Sequence, residues 1–328
     1  MASVPPTERP CEVITVPRGQ PFPLRYGRLT ARAAQVARSA DVVYASATYA
    51  AAAVASLLSR RPLVVKLVSD PAYERARRYR LFDGTLEEFQ TAASRPVAAL
   101  RRARTAALRR AQRVIVPSRY LADFALGWGL DPARVVVVPN PAPALAVEPA
   151  AERHGFVFAG RLTRQKALDT ALDALARVPG ADLLVLGDGP DRPRLERHAA
   201  ELGLNGRVQF VGSVPRADVL RALASAEALV LSSDWENFPH TAVEALALGT
   251  PLIATSVGGV PEIVTDGFNG LLVPPSRPDE LAAAIERFLG SAELRERLAG
   301  AARGSVEHLS APLVYGQIEE LLAAVVAR

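Results

Sequence analysis

The sequence predicts an α/β protein built from two doubly wound parallel sheets. Short, continuous apolar runs alternate with helical patterns along most of the 328 residues. Strands of this kind belong to parallel sheets that carry helices on both faces. At roughly 100–200 residues per domain, the length suits two domains. Apolar residues make up 49% of the chain and charged residues 22%, a composition that excludes general disorder.

The second half shows the alternation most clearly. Its predicted strands cover residues 155–159, 182–186, 208–211, 228–231, 252–254 and 271–273. Its predicted helices cover residues 167–177, 192–202, 216–224, 240–248, 279–289 and 312–327. This order of elements predicts one complete doubly wound domain.

The first half repeats the pattern with shorter elements. The predicted strands are 12–16, 42–44, 63–68, 113–116 and 135–138, and the predicted helices are 29–39, 48–59, 86–110 and 120–126. A Pro-rich stretch at 140–150 predicts the linker. The predicted domains are therefore 1–144 and 145–310, with a C-terminal helix in 311–328 that packs back toward the first. We expect ligands at a cleft between the carboxyl ends of the two sheets.

Composition narrows the function classes. A single cysteine, Cys11, excludes a disulfide framework and a Cys-rich zinc site, and it favours the cytoplasm. No apolar run is long enough to predict a transmembrane helix. The net charge is +5, but of the 39 Lys and Arg residues only Lys66 and Lys166 are lysines. Such Arg-rich usage is typical of a GC-rich genome. The overall positive charge is therefore only weak evidence that the protein binds nucleic acid.

The segment DWENFPHTAVEALALGT at 234–250 carries two glutamates eight residues apart, Glu236 and Glu244. Pro239 suits the first turn of a helix and Gly249 suits its end. The helix N-terminus would then offer free N–H groups near residues 240–242 to an anion, with a carboxylate on each side to accept hydrogen bonds from hydroxyls. The plainer alternative is a surface helix with two solvated glutamates.

The segment FAGRLTRQKALD at 158–169 places two cations after a predicted strand. Gly160 allows a tight turn, and Arg161 and Lys166 bracket the loop after it. Two such cations can hold a diphosphate without a metal. A solvated lysine beside a structural arginine is the alternative interpretation.

These segments, in order with LGDGPDRPRLE at 186–196, VQFVGSVPRADV at 208–219 and GTPLIATSVGGVPEIV at 249–264, resemble the nucleotide-sugar domain of retaining family 4 glycosyltransferases, which have the GT-B fold. The resemblance covers roughly residues 113–325. It implies that Arg161 and Lys166 hold the donor diphosphate, that Glu236 faces the donor sugar, that Glu244 holds the ribose diol and that the turn at 211–214 lies beside the base. The implied donor-binding residues are Gly160, Arg161, Lys166, Val211, Val214, Glu236, Asn237, Phe238, Pro239 and Glu244, of which Arg161, Lys166 and Glu236 are the implied catalytic residues.

The resemblance also implies a reaction. A hexose passes from a UDP- or GDP-sugar to a hydroxyl of a carbohydrate or lipid-linked acceptor, with retained configuration and without a metal or another cofactor. The acceptor attacks on the face from which the phosphate departs, and that phosphate takes the proton. A GT-B epimerase or phosphorylase is a less favoured alternative, because the chain offers no evident acid/base pair or cofactor lysine.

The first domain contains candidate residues for binding the acceptor. Lys66 and Asp70 lie at and just after the end of a predicted strand and are the acceptor-side candidates, although Asp70 equally suits a helix cap before Pro71. The Arg-rich region 75–113 is either a solvated face or a contact with an anionic partner, which would be the inner face of a membrane or a phosphate-bearing lipid acceptor. The scarcity of aromatic residues between these arginines argues against single-stranded nucleic acid as a partner.

The family usually opens with a strand, a Gly-rich turn, a helix and a second strand, and the residues from Cys11 resemble the segment that comes after this opening unit. We therefore expect an incomplete first domain. Two hypotheses result: an active glycosyltransferase, or a catalytically impaired relative that binds nucleotide sugar without efficient transfer.

Overall fold

The structure is a computed structural model that describes residues 12–17, 19, 21–142 and 154–327. The described chain divides into two compact units. The first contains the residues up to Ile115, then Trp128–Val135 and the chain from Leu322 onward. The second contains Val116–Gly127 and the residues from Val136 to Leu321.

A four-stranded sheet with the strand order β1-β2-β3-β4 runs through the first part of the chain. Its strands are β1 (Val43–Ala45), β2 (Leu63–Lys66), β3 (Arg113–Val116) and β4 (Val135–Val137). The pairs β1–β2 and β2–β3 are parallel. The helices of this part are α1 (Phe22–Ala37), α2 (Tyr49–Ser59), α3 (Pro71–Arg78), α4 (Leu86–Thr91), α5 (Arg95–Arg109) and α6 (Arg119–Gly127).

The prediction of a strand at 12–16 is wrong. Residues 12–17 form no strand, and Val13 and Ile14 are 48% and 38% exposed. A strand is stabilised by a hydrogen-bonded neighbour and one buried face, and this segment has neither among the described residues.

Two predicted helices of the first half have other limits. The predicted helix 86–110 is two helices, α4 and α5, because Pro96 in the first turn of α5 has no N–H to donate to a helix running through it. The first helix begins seven residues before the predicted start at residue 29, with a proline in its first turn. The sequence pattern does not predict α3.

The second unit contains a six-stranded parallel sheet with the order β10-β9-β8-β5-β6-β7. Its strands are β5 (Phe156–Ala159), β6 (Leu183–Leu186), β7 (Val208–Gly212), β8 (Ala228–Leu231), β9 (Leu252–Thr255) and β10 (Gly270–Val273). The remaining helices are α7 (Leu168–Leu175), α8 (Arg192–Glu201), α9 (Arg216–Ser225), α10 (His240–Ala247), α11 (Pro278–Gly290), α12 (Ala292–Ser305) and α13 (Ala311–Val326). The predicted elements of this half are confirmed to within two residues at each end, and α12 is additional.

Both faces of the second sheet are buried. Phe156 and Phe158 of β5 pack into one apolar cluster, and the alternate residues Val157 and Ala159 pack into another. Since successive side chains of a strand point to opposite faces, helices cover the sheet on both sides. The prediction of an α/β protein with two parallel sheets is confirmed. The predicted linker lies largely outside the described residues, and the predicted domain boundaries stay predictions.

Candidate functional site

The candidate site lies where the strand order of the second sheet reverses. The chain runs from β5 outward through β6 to β7 and then returns to β8, on the other side of β5. The loops that leave β5 and β8 therefore diverge at their carboxyl ends, and this geometry creates a crevice for ligands in open parallel sheets. Arg161 and Lys166 come after β5, and Glu236 comes after β8.

Lys166 and Glu236 form a direct ion pair across this switch point. Lys166 Nζ lies 2.5 Å from Glu236 Oε1, and the hydroxyl of Ser233 donates to the same oxygen at 2.7 Å. Glu236 is only 6% exposed. A buried carboxylate is stable when a cation and a donor satisfy it, so the cation and the carboxylate that the sequence predicts for one site are brought into contact.

Three hydrogen bonds to backbone carbonyl groups hold the two loops together. The N–H of Asp234 donates to Gln165 O at 2.9 Å, and Gln165 Nε2 donates to Trp235 O at 2.9 Å. The hydroxyl of Ser232 donates to Lys166 O at 3.1 Å. These three hydrogen bonds join segments about 70 residues apart, and they fix the position of Lys166 at the end of the sheet.

Glu244 is a second buried carboxylate that pairs with a cation. It lies inside α10, is 4% exposed, and accepts a hydrogen bond from Arg216 Nη2 at 2.7 Å. Arg216 is the first residue of α9, and 61% of its side chain is exposed. Reasoning from the sequence missed Arg216, although it stands in the segment 208–219, directly after the turn predicted to lie beside the base.

Arg161 is available for a ligand. Its side chain is exposed and makes no ion pair or hydrogen bond with the described residues. The preceding Gly160 lies under the next loop, since its N–H donates to Leu186 O at 2.9 Å. A Cβ on Gly187 would lie 1.9 Å from the carbonyl oxygen of Gly160, and Gly187 has φ +133°. Only glycine allows the two loops to approach so closely.

The three residues that follow Glu236, Asn237, Phe238 and Pro239, are buried, whereas His240 at the start of α10 is exposed. Asn237 Oδ1 accepts a hydrogen bond from the Ser118 hydroxyl at 2.6 Å, and the Phe238 carbonyl accepts one from Asn140 Nδ2 at 3.5 Å. Pro239 precedes α10 without a side-chain cap on the helix. Of the N–H groups expected at 240–242, that of Ala242 donates to Pro239 O at 3.2 Å, so the helix itself uses it.

The turn at 211–214, predicted to lie beside the base, begins within the last two residues of β7. Val211 is 42% exposed and Val214 is half-buried. Gly212 between them has φ +88° and accepts a hydrogen bond from Gly187 N at 2.8 Å. An exposed apolar side chain on a braced turn suits stacking with a flat ring.

The two acceptor-side candidates lie in the first unit and differ in exposure. Asp70 is fully buried. Its Oδ1 caps α3 by accepting from Ala72 N at 2.8 Å and Tyr73 N at 3.2 Å, and its Oδ2 lies 2.5 Å from Arg104 Nη1. These contacts favour the cap interpretation. Lys66 ends β2, and burial lowers the pKa of its ammonium group. The acceptor role of both residues stays a prediction.

The described residues contain no group of three or more His, Cys, Asp or Glu side chains arranged to hold a metal ion. In the same part of the chain, no helix is both long and apolar enough to cross a bilayer.

Two family models match the chain in succession. Residues 3–141 match the glycosyl transferase 4-like domain, and residues 147–305 match the glycosyl transferases group 1 domain. Among curated proteins, the alpha-D-kanosaminyltransferase of Streptomyces kanamyceticus is 34% identical over 45% of this chain and 41% of its own length. A D-inositol 3-phosphate glycosyltransferase of Mycobacteroides abscessus is 35% identical over 60% of this chain and 48% of its own length. The chain thus spans less than half of these relatives.

Solved structures share the fold. The structure of Anabaena Alr3699/HepE in complex with UDP and glucose is 25% identical, with a TM-score of 0.76 over 93% of this chain and 84% of that chain. Sucrose-phosphate synthase from Thermosynechococcus elongatus is 22% identical, with a TM-score of 0.78 over 95% of this chain and 81% of that chain. The chain therefore matches a glycosyl transferase 4-like domain and a glycosyl transferases group 1 domain in succession, has the GT-B fold, and resembles the family 4 glycosyltransferases.

Proposed function

We propose that the protein is a retaining glycosyltransferase that moves a hexose from a UDP- or GDP-sugar to a hydroxyl of a carbohydrate or lipid-linked acceptor, without a metal, in the cytoplasm. The observation that carries the proposal is the Lys166–Glu236 pair at the switch point of the second sheet. The complexes of Alr3699/HepE with UDP, glucose and UDP-glucose favour a UDP-sugar as the first donor to test.

Each charged group has a distinct role in this proposal. Arg161 and Lys166 bind the diphosphate and stabilise the negative charge that grows on it as the sugar leaves. Glu236 accepts hydrogen bonds from hydroxyls of the sugar, and Glu244 accepts them from the ribose diol. When the diphosphate is bound, Lys166 shares its three donors between a phosphate oxygen and Glu236.

The reaction breaks the bond between C1 of the sugar and the phosphate oxygen and forms a bond between C1 and the acceptor oxygen on the same face. The acceptor proton passes to the departing phosphate oxygen. The chain supplies positioning and charge stabilisation that are stronger in the transition state than in the ground state.

The test compares single variants in turnover of UDP-glucose, with a sugar alcohol or glycan acceptor chosen by screening. We expect Arg161→Ala and Lys166→Ala each to lower turnover by about 10²–10³, the cost of one electrostatic donor. Arg164→Ala is the matched control, because Arg164 is an exposed cation in the same loop without a partner among the described residues. Near-normal turnover in both site variants would refute the assignment.

Product and binding measurements separate the parts of the proposal. The anomeric configuration of the product, read by NMR, tests retention, and an inverted product contradicts it. Unchanged turnover in EDTA supports metal independence. Calorimetric binding of UDP-glucose without transfer to any acceptor would support the impaired relative instead.

A further inference from the structure

A cavity of about 610 Å³ lies within the first unit, beyond the carboxyl ends of β1 and β2. Its volume is in the range that suits a small polar ligand. Its walls come from α1, α2, α3 and α5 and from the turns after the two strands. None of the donor-site residues lines it, and Asp70 and Lys66 are not among its lining residues.

The charge of the lining is strongly positive. Four arginines line the cavity (Arg25, Arg75, Arg78 and Arg104), and among the lining residues Glu74 is the one carboxylate. Arg75 and Arg78 lie one turn apart on α3, and both are exposed. Neither side chain makes an ion pair or hydrogen bond with a residue of the described chain. Two unpaired guanidinium groups on one wall of a concave site attract an anion.

Arg104 contributes a hydrogen-bond donor to the cavity, and its contacts with Asp70, Gln90 and Trp128 hold it in place. It is 7% exposed, pairs with Asp70, and lies over the ring of Trp128 with 3.7 Å between Cζ and the ring centroid. Gln90 binds Arg104 and Trp128 through Oε1 and Asp70 through Nε2. Arg104 Nε is buried and has no hydrogen-bond partner among the described residues. An unpaired buried donor is costly, and a ligand oxygen at this atom would remove the cost.

The N-terminus of α2 opens into the same cavity. Thr48 is the N-cap residue at φ 51°, and its side chain makes no capping hydrogen bond. Ala51 N donates to the Tyr26 hydroxyl at 2.9 Å, but the N–H groups of Tyr49 and Ala50 have no acceptor among the described residues. The N-terminus of α3 differs, because Asp70 already caps it. Of these two helices, α2 therefore offers its N–H groups to an anion.

We propose that this cavity binds a phosphate ester carried by the acceptor. Arg75 and Arg78 hold the phosphate oxygens in the paired geometry that guanidinium groups favour, and the first N–H groups of α2 donate to them. The hydroxyls of Ser46, Thr48 and Ser69 line the remaining polar wall and bind the hydroxylated part of the acceptor. That the ester belongs to the acceptor rests on the proposed function, but the anion site itself depends only on the first unit.

The first experiment measures binding of inorganic phosphate and of glycerol phosphate to the full chain by calorimetry, with UDP present to occupy the other unit. The site variant is Arg75→Gln with Arg78→Gln. The matched control is Arg28→Gln with Arg102→Gln, which removes two exposed arginines outside the cavity and changes the net charge equally. We expect the site variant to weaken binding by about tenfold or more and the control to leave it within about twofold. Equal effects of the two double variants would overturn the proposal.

A second arm distinguishes a soluble ester from a lipid headgroup. Vesicles of phosphatidylcholine with phosphatidylglycerol are compared with vesicles of phosphatidylcholine alone in a flotation assay. Binding of glycerol phosphate that depends on Arg75 and Arg78 indicates a soluble ester, and binding only to the anionic vesicles with the same dependence indicates a lipid headgroup. No binding of either ligand, or vesicle binding that both double variants weaken equally, contradicts the cavity site.

The affinity for UDP, measured on the same proteins, keeps this inference separate from the proposed function. Failure of the unchanged chain to bind UDP would defeat the donor site while the phosphate measurements still stand. A normal UDP affinity with no phosphate binding would defeat the cavity site alone.

Discussion

Among the described residues, the carboxylates of Asp70, Glu236 and Glu244 are buried beside a cation, and the exposure of that cation distinguishes their roles. The partner of Asp70 is Arg104, whose side chain is 4% exposed, whereas the partners of Glu236 and Glu244 are exposed by 18% and 61%. A closed pair stays intact because breaking it leaves a buried charge without compensation. A pair with an exposed cation costs less free energy to separate when a ligand binds, because water can solvate the cation. Glu236 and Glu244 are therefore suited to binding a ligand, and Asp70 is suited to a structural role.

Arg216→Gln removes the cation that orients Glu244, so we expect the affinity for UDP to fall about tenfold, the effect of about 1.4 kcal/mol. Because the pair lies away from the reacting bond, KM for the donor should rise more than kcat falls.

The control is Arg221→Gln, on the same helix, where Arg221 pairs with Asp218 at 2.5 Å on the surface. Surface pairs contribute little to stability, and this one does not touch the site. Equal UDP affinities of the Arg216 and Arg221 variants in calorimetry would show that Glu244 does not need its arginine.

The turn from Gly258 to Glu262, in the second unit, packs against the backbone of the candidate site and also caps α6. A Cβ on Gly258 would lie 1.7 Å from Glu236 O, and one on Gly259 would lie 1.8 Å from Asn237 O. The turn thus packs directly against the backbone of the site. It ends in Glu262, whose carboxylate accepts from Arg119 N at 2.8 Å and Tyr120 N at 3.0 Å, the first N–H groups of α6. A carboxylate at a helix N-terminus satisfies free donors and the helix dipole.

Loss of this cap should be measurable. We expect Glu262→Gln to lower the free energy of unfolding by about 1 kcal/mol, the usual cost of a helix cap. Chemical denaturation measures the difference. Glu286→Gln on α11 is the control, because Glu286 is exposed and contacts no other side chain by an ion pair in the described chain. Indistinguishable midpoints for the two variants would contradict the capping role.

For the whole molecule, the two proposed sites lie in different compact units, and each ligand should therefore leave its own footprint. We expect saturating UDP to slow amide hydrogen exchange at residues 160–167 and 234–242 of the second unit, because bound ligand stabilises the segments that contact it. The segments at the starts of α2 and α3 should exchange as before.

Uridine is the matched control ligand for that measurement. It carries the base and ribose without the diphosphate, so it should protect the turn at 211–214 but leave residues 160–167 unprotected. Protection by UDP confined to the first unit would show that the donor site is assigned to the wrong unit.

Local pattern accounts for most of the second unit. Continuous apolar runs, caps and breakers are properties of neighbouring residues, and they predict its strands and helices closely. They also place Arg161, Lys166 and Glu236 after strand ends, where ligands bind in parallel sheets. In the first unit the same reasoning failed at 12–16 and at Pro96, because an apolar run there finds no neighbouring strand and a proline interrupts an otherwise helical pattern.

The ion pairs between residues far apart in the sequence depend on the order of the strands and the packing of the helices, and not on sequence neighbours. Lys166 meets Glu236 across 70 residues because β8 lies beside β5, and Arg104 closes over Asp70 because α5 packs on α3. The same packing leaves Arg75 and Arg78 exposed on the wall of a cavity, whereas Arg104, which also lines that cavity, is buried. An arginine that is buried with its carboxylate partner serves as a structural ion, whereas an exposed arginine can bind a ligand. The degree of burial depends on how the helices pack, and only the tertiary structure determines it.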